Sequence, residues 1–282
     1  MRVHIIGVGL IGGSFAVDIR NVFSEVQLVG IDNNSDHLKQ ALSLGIIDEI
    51  VELSDVKSSD LVIVAVPVDV SIPLIKQVLD VVEDHTLVID TGSTKGKLCE
   101  ALSTHPNRRN FLAAHPISGT EFSGPQAAIK DLYRNKTNII CEVEKTASKL
   151  QARALDLFQK LGMRICYMDP KSHDRHIAYV SHLSHISSFM LGKTVLEKEK
   201  DERNIFDLAG SGFASTVRLA KSSPAMWSPI FEQNKENVVE ILKEYIQNLN
   251  MFKDLLENND FEGVFNEMEK TNHIKTILSG IN

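Results

Sequence analysis

The chain opens on the stretch VHIIGVGLIGG, from Val3 to Gly13, and this stretch decides the fold of the first half of the protein. Val3 to Ile6 can form a short buried strand, and a helix can start directly behind it. Three glycines make the pattern G-x-G-x-x-G: Gly7, Gly9 and Gly12. The first permits a tight turn, the second lets a pyrophosphate approach the backbone, and the third lets helix and strand pack closely. Leu10 and Ile11 stand at the helix start, where unpaired N–H groups attract phosphate.

An acidic residue, Asp32, closes the second apolar run, Gln27 to Ile31, twenty residues after the last glycine. Its carboxylate can accept hydrogen bonds from the adenosine ribose hydroxyls and would repel a 2′-phosphate, which predicts NAD as the cofactor rather than NADP. One alternative is a glycine-rich turn before an ordinary helix, and the order of strand, glycines, helix, strand and acid argues against it. The other is a secretory signal, since Arg2 precedes an apolar run, but a convincing cleavage site is lacking.

Length and composition indicate a globular protein. The 282 residues are 43% hydrophobic and 24% charged, enough for one large or two moderate domains. The net charge of −7 gives no reason to expect nucleic acid or an anionic membrane as a partner. Three scattered cysteines without a C-x-x-C pair indicate a reducing compartment, and no apolar run is long enough to span a bilayer. We therefore predict a soluble, cytoplasmic protein.

Up to residue 169, short apolar runs alternate with helical patterns. The predicted strands are Val3–Ile6, Gln27–Ile31, Leu61–Ala65, Thr86–Asp90, Phe111–Ala114, Asn138–Cys141 and Arg164–Tyr167. Several are continuous runs of Val and Ile, which suits a parallel sheet covered on both faces. The alternation predicts a Rossmann-type, doubly wound α/β domain over residues 1–169. Its predicted helices include Asp36–Leu44 with Ser35 as cap, Val70–Val82 with Pro73 in the first turn, and Ala147–Leu161.

From residue 170 to residue 282 the apolar positions take helical spacing, which predicts an all-helical second domain. Pro224, with Ser223 as its cap, begins a long predicted helix. Apolar side chains then recur at intervals of three or four residues: Val238, Ile241, Leu242, Tyr245, Leu249, Phe252 and Leu256. We interpret this stripe as core or subunit interface rather than as part of a cofactor site.

Ligands bind at the carboxyl ends of the strands in doubly wound sheets, so the residues after each strand are candidates. Val66 and Pro67 form a backbone turn that could lie beside the nicotinamide. His115 follows another strand, on a turn stiffened by Pro116, and an imidazole can accept a proton at neutral pH. A histidine in a loop is often structural, but its place at a strand end favours a catalytic base.

The turn TGSTKG, residues 91–96, follows the strand that ends at Asp90. It is not a P-loop, because the glycine spacing before Lys97 is one residue short and Leu98 follows where Ser or Thr is needed. We take Ser93 as a candidate site residue. Thr94 and Lys95 are expected to be polar turn residues at the start of the next helix.

The predicted helical domain opens with a histidine-rich stretch: His173, Asp174, His176 and then SHLSH at residues 181–185. His182 and His185 are three apart and share a helix face. A metal site would be expected to include cysteine or H-E-x-x-H, and hydride transfer needs no metal, so we predict an anion-binding face and no metal. Arg218 ends the segment GSGFASTVR, where it is either solvated surface or a guanidinium fork aimed at a carboxylate.

Taken together, these motifs resemble the prephenate dehydrogenase family, with its arogenate and cyclohexadienyl variants. The resemblance runs from GVGLIGGS through DTGSTKG, AHPISGTE, HD, SHLSH and GFASTVRLAKSSPAMW, nearly the whole chain. It implies a Rossmann domain followed by a helical dimerisation domain, and hence a homodimer. The family often has SHLPH or SHLTH, and here Ser184 fills the variable place, which changes little.

The resemblance also implies roles for individual residues. His115 would take the proton of the substrate's ring hydroxyl, Ser93 would orient that hydroxyl and the nicotinamide, and Arg218 would bind a substrate carboxylate. Ser181 and His185 would line the substrate pocket, with His173 nearby. Glu121 would help to hold or gate the site. Trp227 resembles a residue that reaches a neighbouring subunit's site.

The implied activity is NAD-dependent oxidative decarboxylation of prephenate to 4-hydroxyphenylpyruvate in tyrosine biosynthesis. Arogenate differs from prephenate only in an amino side chain and remains an alternative substrate. A β-hydroxyacid dehydrogenase has a similar plan, but such enzymes generally use a lysine in the helical domain, and Lys193 lies outside the motifs. A non-catalytic NAD-binding regulator is the remaining alternative.

Overall fold

A computed structural model describes residues 1–200, 202 and 204–279; the last three residues of the predicted second domain lie outside this range. The strands of the described chain are β1 (Arg2–Ile6), β2 (Gln27–Ile31), β3 (Glu49–Ile50), β4 (Leu61–Val64), β5 (Leu87–Asp90), β6 (Phe111–Pro116), β7 (Thr137–Cys141) and β8 (Arg164–Tyr167). They form one sheet in the order β3-β2-β1-β4-β5-β6-β7-β8. The strand order reverses beside β1, so a crevice opens between the carboxyl ends of β1 and β4.

The α/β class predicted for this part of the chain is confirmed, with two differences. β6 and β7 pair antiparallel, with His115 opposite Ile139, whereas the prediction was a parallel sheet throughout. An apolar run reads the same in either direction, so the pattern could not reveal this. β3 was also missed, because its two residues are exposed and carry no periodic signal.

Helices cover both faces of the sheet. They are α1 (Leu10–Val22), α2 (Ser35–Ser43), α3 (Val68–Val81), α4 (Gly96–Leu102) and α5 (Ser148–Lys160). One face of the sheet packs apolar side chains that include Ile5, Phe15 and Phe158. The other packs a separate set that includes Val62 and Ile75. Burial on both faces explains why the strands are continuous apolar runs.

Two predicted helix starts are wrong. Asn34, not Ser35, caps α2, because its side chain accepts hydrogen bonds from the backbone N–H groups of the next turn. Helix α3 begins at Val68, directly after Pro67, so Pro73 lies in its second turn rather than its first. The fixed φ of Pro67 suits the position before the helix, and Val68 is buried there.

The chain continues with α6 (Pro170–Ile177), α7 (Leu183–Glu199), α8 (Ser211–Thr216) and α9 (Pro224–Gln233). Asp169 caps α6 through its side chain. A single π-helical turn, Ala178–His182, joins α6 to α7. Such turns are uncommon and occur often at functional sites.

The long helix predicted to start at Pro224 is in fact two helices, α9 and α10 (Lys235–Glu257), separated at Asn234. The backbone of Asn234 departs from helical geometry, with φ −108°, and its side-chain amide donates a 2.7 Å hydrogen bond to the carbonyl of Asp174. Ser223 does precede α9, but its side chain makes no capping hydrogen bond.

Contacts divide the chain into two compact units, Met1–Lys235 and Glu236–Asn282. The described part of the second unit contains most of α10, then α11 (Phe261–Thr271) and α12 (Ile274–Leu278). The predicted apolar stripe lies on α10, where Leu249 is 52% exposed. The domain boundary predicted after residue 169 falls inside the first unit and stays a prediction.

Candidate active site

The glycine turn after β1 has the geometry that its sequence predicts. Gly7 has φ +89°, and a Cβ there would lie 2.4 Å from the carbonyl oxygen of Ala65. A Cβ on Gly12 would lie 2.0 Å from the carbonyl oxygen of Gly7, so only glycine lets α1 approach β1 so closely. Above Gly9, by contrast, no described atom lies within 4 Å of a Cβ. The open space over Gly9 is where a phosphate could approach the backbone.

The acid after β2 is tied to this turn. Oδ2 of Asp32 accepts a 3.0 Å hydrogen bond from the backbone N–H of Val8, and Oδ1 accepts one of 2.9 Å from that of Asn34. A carboxylate has about four acceptor positions, so Asp32 keeps capacity for ribose hydroxyls.

The other predicted cofactor contacts border the same crevice. Leu10 and Ile11 form the first turn of α1, whose N-terminus has no side-chain cap. Its N–H groups are therefore left for a ligand or water. Val66 lies near Gly7, and Pro67 precedes α3 at the end of β4.

The turn after β5 contains a charge pair that the sequence interpretation missed. The ammonium of Lys95 contacts the carboxylate of Asp90, and both side chains are fully buried. Lys95 does stand in the turn at the start of α4, as expected, but its side chain is buried and folds inward onto Asp90. Ser93 lies partly buried in the same turn.

His115 lies at the carboxyl end of β6 and is 8% exposed. It is part of the strand rather than of a following turn, because pairing with β7 extends β6 to Pro116. Burial lowers the pKa of His115 well below its ordinary value, and the nearby His173, Lys95 and His182 lower it further. The imidazole is therefore neutral at physiological pH and can accept a proton.

The first turns of the helical region bring two more groups to His115. Nε2 of His173 lies 2.8 Å from Nδ1 of His115, and Nδ1 of His173 lies 2.8 Å from Oδ1 of Asp174. Both residues come from α6 and are buried. His173, predicted near the substrate, thus contacts the candidate base itself.

Aromatic groups line the neighbouring region. The ring of His185 lies 3.7 Å from that of Trp227, centroid to centroid, and Nδ1 of His185 donates a 2.9 Å hydrogen bond to the carbonyl of Ser181. His182, predicted to form an anion-binding face with His185, is instead fully buried between this group and His173, and burial lowers its pKa to about 4. The indole of Trp227 packs within its own chain; its predicted role toward a second subunit stays a prediction.

Two charged residues with predicted roles, Arg218 and Glu121, lie close to each other. Nη1 of Arg218 lies 3.9 Å from Oε2 of Glu121, with side chains 55% and 29% exposed. Burial lowers the pKa of His185, and the charge of Arg218 lowers it further. The charge of Arg218 thus acts on the imidazole of His185.

The structure therefore brings His115, His173, His185 and Arg218 into one electrostatic neighbourhood. Sequence reasoning missed three groups next to them: Asp90 and its partner Lys95, and Asp174 as a hydrogen-bond acceptor. The one local signal for them was a carboxylate ending a buried apolar strand, which needs a partner. In the part of the chain that the structure describes, no three His, Cys, Asp or Glu side chains converge as a metal site would require.

A glycine turn with room for a pyrophosphate and a neutral buried imidazole, both at carboxyl ends of strands of one sheet, are typical of a nucleotide-dependent oxidoreductase. Two family models match the chain. The model for the nucleotide-binding domain of prephenate dehydrogenase covers residues 15–167, and the model for the dimerization domain covers residues 169–270. The chain belongs to the prephenate dehydrogenase family.

Individual relatives extend over nearly the whole chain. The chain is 31% identical to the prephenate dehydrogenase of Bacillus subtilis (strain 168), covering 92% of this chain and 71% of that protein. It is 26% identical to the cyclohexadienyl dehydrogenase of Zymomonas mobilis, covering 98% and 96%. A crystal structure of prephenate dehydrogenase from A. aeolicus, in complex with hydroxyphenyl propionate and NAD+, has a TM-score of 0.91 at 32% identity and covers 99% and 98%.

Proposed function

We propose that this protein is a prephenate dehydrogenase that uses NAD to convert prephenate to 4-hydroxyphenylpyruvate. The observation that carries the proposal is His115: a buried, neutral imidazole at the carboxyl end of β6, the edge of the sheet where the glycine turn also lies. A ring hydroxyl that must lose its proton needs such a group.

The residues of the crevice fit NAD. Gly9 leaves space for the pyrophosphate, and the N-terminus of α1 provides N–H groups and a favourable dipole. Asp32 would bind the ribose hydroxyls, and its negative charge disfavours the 2′-phosphate of NADP. When bound, NAD supplies the acceptor for the hydride that leaves the substrate ring.

The chain's own residues handle the rest of the substrate. His115 accepts the hydroxyl proton, and Arg218 pairs with one of the two carboxylates. Ser93, in the turn beside the buried Lys95–Asp90 pair, would orient the hydroxyl. Ser181, His185 and Trp227 would line the pocket, and Glu121, which pairs with Arg218, would move aside when a substrate carboxylate arrives.

The exposed apolar side chains of the second unit support a homodimer. On its helices, Ile246, Leu249, Phe261, Phe265 and Met268 are each more than half exposed. Exposed apolar side chains in this number favour burial against another protein surface. The model that matches this region describes a dimerization domain.

A cytoplasmic location is part of the same proposal. The three cysteines of the chain are free, and two of them, Cys99 and Cys141, are buried as small apolar residues. Among the described helices, none has the length and apolar character that a bilayer crossing requires. The net charge of −7 makes nucleic acid an unfavourable partner.

Among the alternatives, a β-hydroxyacid dehydrogenase fits the site poorly. Lys193, considered as its acid–base lysine, pairs with Glu197 on the exposed side of α7. An arogenate dehydrogenase fits the same geometry, because arogenate presents the same ring hydroxyl and ring carboxylate.

A substrate and cofactor matrix tests the proposal. Prephenate, arogenate and a 3-hydroxyacid are each mixed with NAD or NADP, and reduced nicotinamide is followed by absorbance. We expect the highest kcat/KM with prephenate and NAD. A preference for arogenate would identify an arogenate dehydrogenase instead. Turnover of the 3-hydroxyacid alone would refute the proposed activity. NAD binding without any turnover would identify a regulator.

A further inference from the structure

Three buried side chains form an unbroken line of hydrogen bonds that ends on the proposed base. Oδ1 of Asp174 lies 2.8 Å from Nδ1 of His173, and Nε2 of His173 lies 2.8 Å from Nδ1 of His115. Their exposed fractions are 6%, 0% and 8% in that order, so water does not compete for these bonds.

The backbone anchors the far end of this line. Oδ1 of Asp174 accepts a 2.7 Å hydrogen bond from the N–H of Lys95, and Oδ2 accepts one of 2.8 Å from that of Gly96. Burial by itself would raise the pKa of Asp174, but the hydrogen bonds from His173 and from the backbone hold that pKa below its ordinary value. The carboxylate is therefore ionised and can only accept hydrogen bonds.

The position of each proton follows from that acceptor. Because Asp174 only accepts, Nδ1 of His173 donates to it, and in the neutral form of that ring the lone pair is on Nε2. His115 must then donate from Nδ1 to His173, which leaves its own Nε2 unprotonated. A neutral histidine without such a partner can place its proton on either nitrogen, and only one of these tautomers presents a base at Nε2.

We infer that Asp174 and His173 are positioning residues, which hold His115 in the tautomer whose Nε2 accepts the substrate proton. The inference rests on the proposed function, since it assumes that His115 is the base. In that step the hydroxyl O–H bond breaks, its electron pair stays with the substrate, and an N–H bond forms at Nε2. The cationic His115 continues to donate from Nδ1 to His173, and His173 donates to Asp174, much as the aspartate of a Ser-His-Asp triad orients and stabilises its histidine.

The tautomer can be measured without any substrate. Ring ¹⁵N chemical shifts of protein labelled at histidine report which nitrogen carries the proton, and spectra of His115→Asn and His173→Gln assign the signals. Near neutral pH we expect both His115 and His173 to carry the proton on Nδ1 and to have an unprotonated Nε2. A proton on Nε2 of His115 would overturn the inference, whatever the enzyme does with prephenate.

Kinetics of matched variants test the consequence. His173→Leu removes the acceptor for Nδ1 of His115, whereas His173→Gln offers an amide oxygen in its place. We expect kcat to fall about 10²-fold in H173L and less than about tenfold in H173Q, with KM for prephenate little changed in both. His4 is a buried histidine on β1 outside this site, so His4→Asn controls for the loss of a core imidazole and should keep kcat.

The outcomes separate the inference from the proposed function. Equal losses in H173L and H173Q, or a loss that appears only in KM, would show that His173 merely fills the core. A wild-type enzyme without turnover of either cyclohexadienyl substrate would refute the proposed function, while the tautomer measurement would still decide whether the hydrogen-bond line orients His115.

Discussion

The ammonium group of Lys95 contacts the carboxylate of Asp90, and both side chains are buried at the carboxyl end of β5. The other oxygen of Asp90 accepts a 3.1 Å hydrogen bond from the backbone N–H of Ala114, the residue before His115. The backbone N–H of Lys95 also holds Asp174. This one pair therefore connects the turn after β5 to the strand and the helix that present the imidazoles.

Removing the lysine should destabilise the fold strongly. Lys95→Met leaves the buried carboxyl of Asp90 without its partner, and breaking such a pair costs about 3–5 kcal/mol in the free energy of unfolding. Urea denaturation measures this. The matched control is Lys193→Met, whose ammonium pairs with Glu197 at the exposed surface of α7 and which should be nearly neutral. Similar effects of the two substitutions would contradict the structural importance of the pair.

Substitutions at Gly12 and Gly9, in the turn after β1, should affect folding and NAD binding separately. Gly12→Ala places a methyl group 2.0 Å from the carbonyl oxygen of Gly7 and should lower the melting temperature strongly or prevent folding. Gly9→Ala meets no described atom within 4 Å and should keep the melting temperature. Its methyl group would occupy the space proposed for the pyrophosphate, so calorimetry should show NAD binding weakened by about tenfold or more. Unchanged NAD affinity in G9A would place the cofactor elsewhere.

The acid after β2 should set the choice of cofactor. In Asp32→Asn an amide oxygen can still accept one of the two backbone hydrogen bonds, but the negative charge is lost. We expect kcat/KM with NAD to fall by about tenfold and the ratio of NADP to NAD activity to rise, because the repulsion of the 2′-phosphate disappears. Asp36→Asn, on the exposed first turn of α2, is the control. An unchanged cofactor ratio would count against the assigned role of Asp32.

Stability should fall below neutral pH, and one measurable contribution to this fall lies outside the active site, at His4. Burial lowers the pKa of His4 from 6.5 to about 4, with the charge of Arg2 adding to the effect and that of Asp55 opposing it. The unfolded chain therefore takes up a proton that the folded chain excludes between these two values. The contribution of His4 to the free energy of unfolding is constant above about pH 7 and decreases as the pH falls from about 6.5 to about 4. Urea midpoints measured from neutral pH to about pH 5 should decrease, and less steeply in His4→Asn. A constant midpoint in the wild type would contradict the expectation.

The parts of the site that could be predicted from sequence are those encoded within one local segment. Gly7, Gly12 and Asp32 act through the turn and the strand on which they stand, so their spacing carries the information. His115 could be placed because a strand end in a doubly wound sheet lies at the ligand crevice.

The parts that could not be predicted depend on contacts between distant segments. Nothing near His173 in the chain indicates that it meets His115, which is 58 residues away. The inward turn of Lys95 depends on the buried Asp90, whose burial becomes evident only once β5 is covered by helices. The antiparallel direction of β7 is likewise invisible in an apolar pattern that fits either direction.

The central claim is that His115 removes the proton of the substrate hydroxyl, and steady-state turnover of prephenate by wild type and His115→Asn tests it most directly. We predict that kcat falls about 10²- to 10⁴-fold in the variant, while its affinity for NAD and its melting temperature stay close to those of the wild type. A folded, NAD-binding His115→Asn variant that turns over prephenate at the wild-type rate would contradict the claim.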